Sequence, residues 1–138
     1  MRVFLDPNVL VSAVATRGLC ADILHAVLAE HQLVLGEAVS RELQGVLVGK
    51  LGIPPAIAGE MDEFLRREAA MVGDPPAIRL RIRDPGDVLI PEEAAAAQAD
   101  VLVTGDRDLV DVAKKAPVRI VDPRGFWEQL RTEDDSPG

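Results

Sequence analysis

Tyrosine is absent from this chain, and phenylalanine and tryptophan together make only 3% of it. That composition argues against a platform of stacked rings for single-stranded nucleic acid, so any such contact must run mainly through phosphates. Cysteine occurs once, at Cys20, which excludes an internal disulfide and any zinc site built on cysteine pairs. Cys20 is read as an inert thiol. The two histidines, His25 and His31, are too isolated for a metal site and read as surface or packing residues. No apolar run approaches the roughly 20 residues that span a bilayer. The opening Met1-Arg2-Val3-Phe4-Leu5-Asp6 turns acidic too soon for a signal peptide. No membrane association is expected, and the expected location is the cytoplasm. Basic residues are also few: 15 Lys and Arg face 23 Asp and Glu, for a net charge of −8. A bare acidic surface repels nucleic acid. Either the acids are spread over solvated helix faces, or some of them converge and need cations.

What is present is enough for a core. The 138 residues are 48% apolar, which suits one domain over 1–131 with a polar, frayed tail over 132–138. Arg2 to Leu5 reads as a buried strand, and Pro7 fits the first turn of a helix that ends near Thr16-Arg17-Gly18. Ile23, Leu24, Val27 and Leu28 repeat at helical spacing. Gln32 to Leu35 is a second strand. Val39, Leu43, Val46 and Leu47 mark a helix closed by Gly52-Ile53-Pro54-Pro55. Ile57, Met61, Phe64 and Leu65 mark another, and Met71 to Gly73 a further strand. Ile78, Leu80 and Ile82 alternate with Arg79, Arg81 and Arg83, a period of two that predicts a strand before the turn Asp84-Pro85-Gly86-Asp87. An Ala-rich helix over 92–98, a strand Val101 to Val103, a helix Leu109 to Lys115, a strand Val118 to Val121 and a helix Asp122 to Arg131 complete the chain. Phe126 and Trp127 lie on that last helix, and one of the two is expected in the core. Strands alternating with helices predict an α/β fold: a three-layer α/β/α sandwich around a central parallel sheet.

Ligands of such sheets bind at the C-terminal ends of the strands. Asp6 follows the first strand directly, and Asp106 follows another through Thr104-Gly105. Asp87 precedes the helix that returns to that strand. Glu42 lies three residues after Val39 and four before Val46, which places it at the border of an apolar face. Each Asp could be a plain helix cap. Together, three caps at one sheet edge beside a fourth acid would concentrate negative charge, which raises pKa values or demands a cation. Mg²⁺ or Mn²⁺, with carboxylate and water ligands, is the natural partner. Such ions assist phosphoryl displacement. Asp108 is an accessory candidate or a first-turn acid. Asn8 could orient Asp6 through its amide. Arg79, Arg81 and Arg83 are the densest basic feature, fit either for a nucleic-acid backbone or for a charged edge strand.

These motifs resemble the PIN-domain ribonucleases, in particular the bacterial toxin components of type II (VapBC-like) toxin–antitoxin pairs. Phe4-Leu5-Asp6-Pro7-Asn8-Val9-Leu10-Val11-Ser12-Ala13 is similar to the family's opening, an Asp-Thr-Asn or Asp-Ser-Asn before an apolar helix. Ser40-Arg41-Glu42-Leu43 and Asp84-Pro85-Gly86-Asp87 resemble the segments carrying the second and third acids. Ala99-Asp100-Val101-Leu102-Val103-Thr104-Gly105-Asp106-Arg107-Asp108-Leu109 matches the fourth. The resemblance runs from Met1 to about Arg131. It implies a PIN-like fold and metal-dependent endoribonuclease activity, with Asp6, Glu42, Asp87 and Asp106 holding Mg²⁺ or Mn²⁺. It also implies an RNA substrate, a homodimer and a small antitoxin partner. Three positions depart from the pattern. Pro7 replaces a Thr or Ser, Pro91 falls four residues after Asp87, and Gln98 stands where Gly is common. Pro7 leaves a catalytically weakened PIN-like binding module as one rival. A haloacid-dehalogenase-type phosphatase is the other, although that chemistry wants an Asp where Asn8 stands.

Overall fold

Three consecutive residues of the first strand, Val3, Phe4 and Leu5, are buried. Successive strand side chains point to opposite faces, so both faces of the sheet at this strand are covered. The structure, a computed structural model, describes residues 1–73, 94–95, 97–111 and 118–134, with the side chains of residues 108, 111, 133 and 134 outside the description. Its strands are β1 (Arg2–Leu5), β2 (Gln32–Gly36), β3 (Ala70–Val72), β4 (Val101–Val103) and β5 (Arg119–Val121). They form one sheet in the order β3-β2-β1-β4-β5. All four pairings are parallel, with Phe4 level with Val34 on one side and with Leu102 on the other. The all-apolar Val-Leu-Val of β4 is what a strand buried on both faces requires. The expected α/β architecture is therefore the observed one, a central parallel sheet flanked by helices.

The described helices are α1 (Pro7–Ala15), α2 (Leu19–Glu30), α3 (Glu37–Gly49), α4 (Pro55–Glu68), α5 (Arg107–Asp111) and α6 (Pro123–Asp134). Helix α1 packs against α2 and α3, α3 against α4, and α2 against α6. Phe126 is the member of the aromatic pair that enters the core, while Trp127 packs partly buried at its margin. The last helix runs past Arg131 to Asp134, with the Thr132 hydroxyl bonded to the Glu128 carbonyl. Ile57 and Phe64 on α4 remain exposed beside Val14, Leu24 and Met61, an apolar groove of about 290 Å³. Among the described residues no single helix is long and apolar enough to cross a membrane.

Two local features differ from the sequence reading. Glu42 does not border the buried face of α3; it is exposed. The buried residues there are Val39, Ser40, Leu43 and Leu47. Ser40 takes the place expected of Val46, which rotates the buried face away from Glu42. Ser40 can be buried because its hydroxyl bonds Asp62 Oδ1, while Arg66 holds Asp62 and grips Glu37 through two nitrogens. That grip holds the Glu37 carboxyl below its usual range and the Arg66 guanidinium above its own. The second feature is the end of the Ala-rich helix. Ala94 and Ala95 are helical, and Gln98 N–H bonds the Ala95 carbonyl while Ala99 N–H bonds that of Ala94. This is a Schellman turn whose left-handed position, φ +60°, falls on Gln98. Gly is common there for a conformational reason. The expected strand over 78–83, the turn 84–87, Pro91 and the continuation of α5 to Lys115 lie outside the described residues.

Candidate active site

Strand order reverses direction between β1 and β4. From β1 the chain first builds outward through β2 and β3, then returns to place β4 and β5 on the other side. The crevice beyond such a switch point is where parallel sheets bind ligands. Asp6 leaves β1 at that point, and Thr104, Gly105 and Asp106 leave β4 beside it.

Asp6 caps α1, as the simplest reading of the sequence allows: its Oδ1 accepts the Asn8 backbone N–H at 2.7 Å. It is more than a cap. Its own N–H bonds the Val103 carbonyl at 3.0 Å, stitching it to β4. Its Oδ2 accepts the Thr104 hydroxyl at 2.8 Å, and the same hydroxyl oxygen accepts the Asp106 N–H at 3.1 Å. One threonine thus fixes both acids relative to each other. Asp6 is only 5% exposed, whereas Asp106 stands exposed at the mouth of the crevice. Burial pushes the Asp6 carboxyl above its ordinary pKa. The bonds from Asn8 and Thr104 pull it back in part, and the charge of Asp106 pushes it up again.

Thr104 is the site residue whose role the sequence alone does not reveal. Its signal was a hydroxyl at the end of an all-apolar strand, where burial obliges it to find a partner. Asn8 acts through its backbone; its side chain is exposed. Glu42 stands exposed on α3. Among the described residues no group of three or more His, Cys, Asp or Glu side chains is close enough to hold a metal ion. The structure therefore brings Asp6 and Asp106 together and leaves Glu42 apart. Asp87, Arg79, Arg81, Arg83 and the side chain of Asp108 lie outside the described residues. His31 meets the N-terminal amine through Nδ1 at 3.2 Å, and His25 is exposed, so neither belongs to the crevice.

A buried carboxylate with an acidic neighbour at the switch point of a parallel sheet fits a known family. The chain belongs to the PIN-domain family: the family model described as PIN domain matches residues 2–108, a stretch that includes Asp6, Glu42, Asp87 and Asp106. Among solved structures it is similar to VapBC2 from Rickettsia felis, which was crystallised bound to a DNA fragment from its promoter. That likeness has a TM-score of 0.60 at 19% identity, over 88% of this chain and 98% of that one. At that identity it speaks for the fold. No curated protein gives a significant match. PIN domains are in general nucleases.

Proposed function

We propose that this protein is a metal-dependent endoribonuclease and the toxin of a toxin–antitoxin pair. The observation that carries this reading is Asp6: a carboxylate 5% exposed, beside a second acid, with no cationic side chain paired to it among the described residues. Burying a charge without a counter-charge is costly. A divalent cation in the crevice relieves that cost. The oxygen donors of Asp6 fit one. A carboxylate has about four acceptor positions; Asn8 and Thr104 occupy one on each oxygen of Asp6, leaving the others for a hard cation such as Mg²⁺ or Mn²⁺. Asp6 and Asp106 are the proposed primary holders, with Asp87 completing the set and Glu42, which stands apart on α3, reaching the ion only through bound water. When bound, the ion would lower the pKa of an attacking water and stabilise charge on the phosphate oxygens.

The chain's own groups prepare the site. The Asn8 N–H and the Thr104 hydroxyl fix the plane of the Asp6 carboxylate, so it need not reorganise as charge builds in the reaction. Asp106, exposed at the mouth, faces the incoming substrate and keeps the Thr104 hydroxyl in register through its N–H. Pro7 does not disturb this. It occupies the first helical position, where its missing N–H removes no helix bond. A small antitoxin and a second copy of the chain are the proposed protein partners. The antitoxin would cover the apolar groove beside α4, because a large apolar side chain gains roughly 1.5–3 kcal/mol on leaving water.

The test is hydrolysis of single-stranded RNA by EDTA-stripped protein, with and without Mn²⁺. Wild type is expected to cut only with metal. Asp6→Asn keeps the shape and one acceptor oxygen, replaces the other with an amide donor and removes the charge; it is expected to lose at least about a hundredfold, the scale of removing a key electrostatic group. Equal RNA degradation by the two proteins would end the assignment. Wild type is also expected to melt higher in Mn²⁺ than in EDTA at matched ionic strength.

A further inference from the structure

Beside the Asp6–Asp106 crevice lies a second, open cleft of about 630 Å³. Gly105, the residue between Thr104 and Asp106, forms part of its wall, so the cleft begins where the proposed active site ends. Two cationic side chains line it, Arg107 from α5 and Arg124 from α6, together with Cys20 from α2 and Asp122. Both arginines are exposed, and neither forms an ion pair among the described residues. Two other arginines are engaged structurally. Arg66 grips Glu37 and Asp62, and Arg2 donates to the carbonyls of Ala97 and Gln98. Asp122 offsets only part of this charge: its Oδ1 accepts the Gly125 N–H at 2.7 Å, and it forms no ion pair with either arginine among the described residues, so two cationic groups face one acid in the cleft.

In a chain of net charge −8, two unpaired guanidinium groups facing one cleft are a local reversal of sign. Guanidinium matches phosphate through paired N–H donors. The volume lies within the range of ordinary ligand sites. Among the described residues no aromatic side chain lines the cleft, so these offer nothing on which a base could stack. We propose that this cleft is a substrate subsite that holds a backbone phosphate of single-stranded RNA next to the one being cut, with Arg107 and Arg124 as its ligands. The inference rests on the nuclease reading above and gives that enzyme a binding track independent of base identity. It also gives an acidic protein a local attraction for a polyanion beside the carboxylates.

Cys20, half-buried in the cleft and the single cysteine of the chain, reports on it directly. The experiment measures the rate of Cys20 alkylation by iodoacetamide in EDTA, with and without a short mixed-sequence RNA. RNA is expected to slow alkylation severalfold, and rising salt to reverse the protection. In Arg107→Gln/Arg124→Gln, whose changes are at exposed positions, protection is expected to disappear. The salt slope of RNA binding should flatten by about 0.7, the loss of one single-strand phosphate contact. Unprotected Cys20 at saturating RNA, or an unchanged salt slope in the variant, would overturn the subsite. Metal-dependent hydrolysis by wild type separates the two failures. If RNA is cut but Cys20 stays open, only the cleft assignment falls. If RNA neither binds nor is cut, the nuclease reading falls and the subsite with it.

Discussion

Asp6-Pro7 and Asp122-Pro123 are the same local device used twice. Each follows a parallel strand, each Asp side chain accepts a backbone N–H of the helix it starts, and each Pro sits in the first turn. The backbone repeats as well, with Leu10 N–H bonding the Asp6 carbonyl at 3.0 Å and Phe126 N–H bonding that of Asp122 at 2.9 Å. Their surroundings differ. Asp6 leaves the central strand, between β2 and β4, and is buried with Thr104 against it. Asp122 leaves the edge strand β5 and is exposed. Capping and function are therefore not alternatives at Asp6. The cap sets the carboxylate in place, and the neighbouring strand supplies the burial and the second acid that set it apart from Asp122.

Thr104→Val should break the special half of that comparison. It removes the donor to Asp6 Oδ2 and the acceptor for Asp106 N–H in a fully buried position. Leaving the buried Asp6 oxygen unpaired costs about 1–3 kcal/mol, with less from the N–H of exposed Asp106, and thermal melts would read the sum. The pH dependence carries a second signature. Because burial raises the Asp6 pKa in the folded chain, the native state binds more protons than the unfolded state between the ordinary carboxylate pKa and the raised one. Metal-free stability should then fall as pH rises through that window and level off above it. Thr104→Val deletes a bond that lowers this pKa, so the window should extend upward. In Asp6→Asn the component should vanish. Indistinguishable stability-versus-pH curves for wild type and Asp6→Asn would mean that Asp6 is as ordinary as Asp122.

The same contrast explains what could be read from the sequence. Apolar periodicity located the described strands and helices to within a residue or a few, because β1 and β4 must be apolar on both faces and α2 must be apolar on one. The strand-end positions of Asp6 and Asp106 were legible for the same reason, since a parallel sheet presents its C-terminal edge to ligands. Glu42 was misplaced because period alone cannot tell that a serine, satisfied by Asp62 and Arg66, will join a buried face. Those partners come from another helix. Thr104 went unassigned because its role exists only once β1 and β4 are neighbours. The arginines of the cleft were invisible for that reason too: Arg107, Arg124 and Cys20 converge from three elements far apart in the chain.

The ordinary half of the comparison can be sharpened at Gly125. A Cβ added there would lie 2.8 Å from Asp122 Oδ1, so the carboxylate must swing away and the cap is lost. Asp122→Ala should cost about 1 kcal/mol, the usual value of an N-cap, and Gly125→Ala less than that, because alanine regains roughly 0.5–1 kcal/mol of helix propensity. Because both delete one interaction, the double variant should cost little more than either single one. Full additivity in denaturant melts would show that Gly125 is needed for something other than the cap.

The smallest effect is expected at the opposite end of the same strands, where structure stands without chemistry. Gln98 holds the left-handed position of the turn before β4, and its carbonyl and that of Ala97 accept the Arg2 guanidinium at 3.1 and 2.9 Å. Asp100 completes the tie by bonding the Arg2 N–H through Oδ2 and the Arg2 carbonyl through its own N–H. All of these contacts except the φ of Gln98 are independent of what side chain stands there, and that side chain is exposed. A left-handed residue with a Cβ costs about 1–2 kcal/mol, part of which glycine returns as greater freedom in the unfolded chain. Gln98→Gly should therefore stabilise by about 0.5–1 kcal/mol, a rise in melting temperature of a few degrees at most. RNA hydrolysis and the Mn²⁺ shift should not move, because the substitution lies at the edge of the sheet away from Asp6 and Asp106. A gain in stability accompanied by a change in activity would show that the two edges are coupled through β1 and β4. In that case the division between a working edge and a supporting edge would fail.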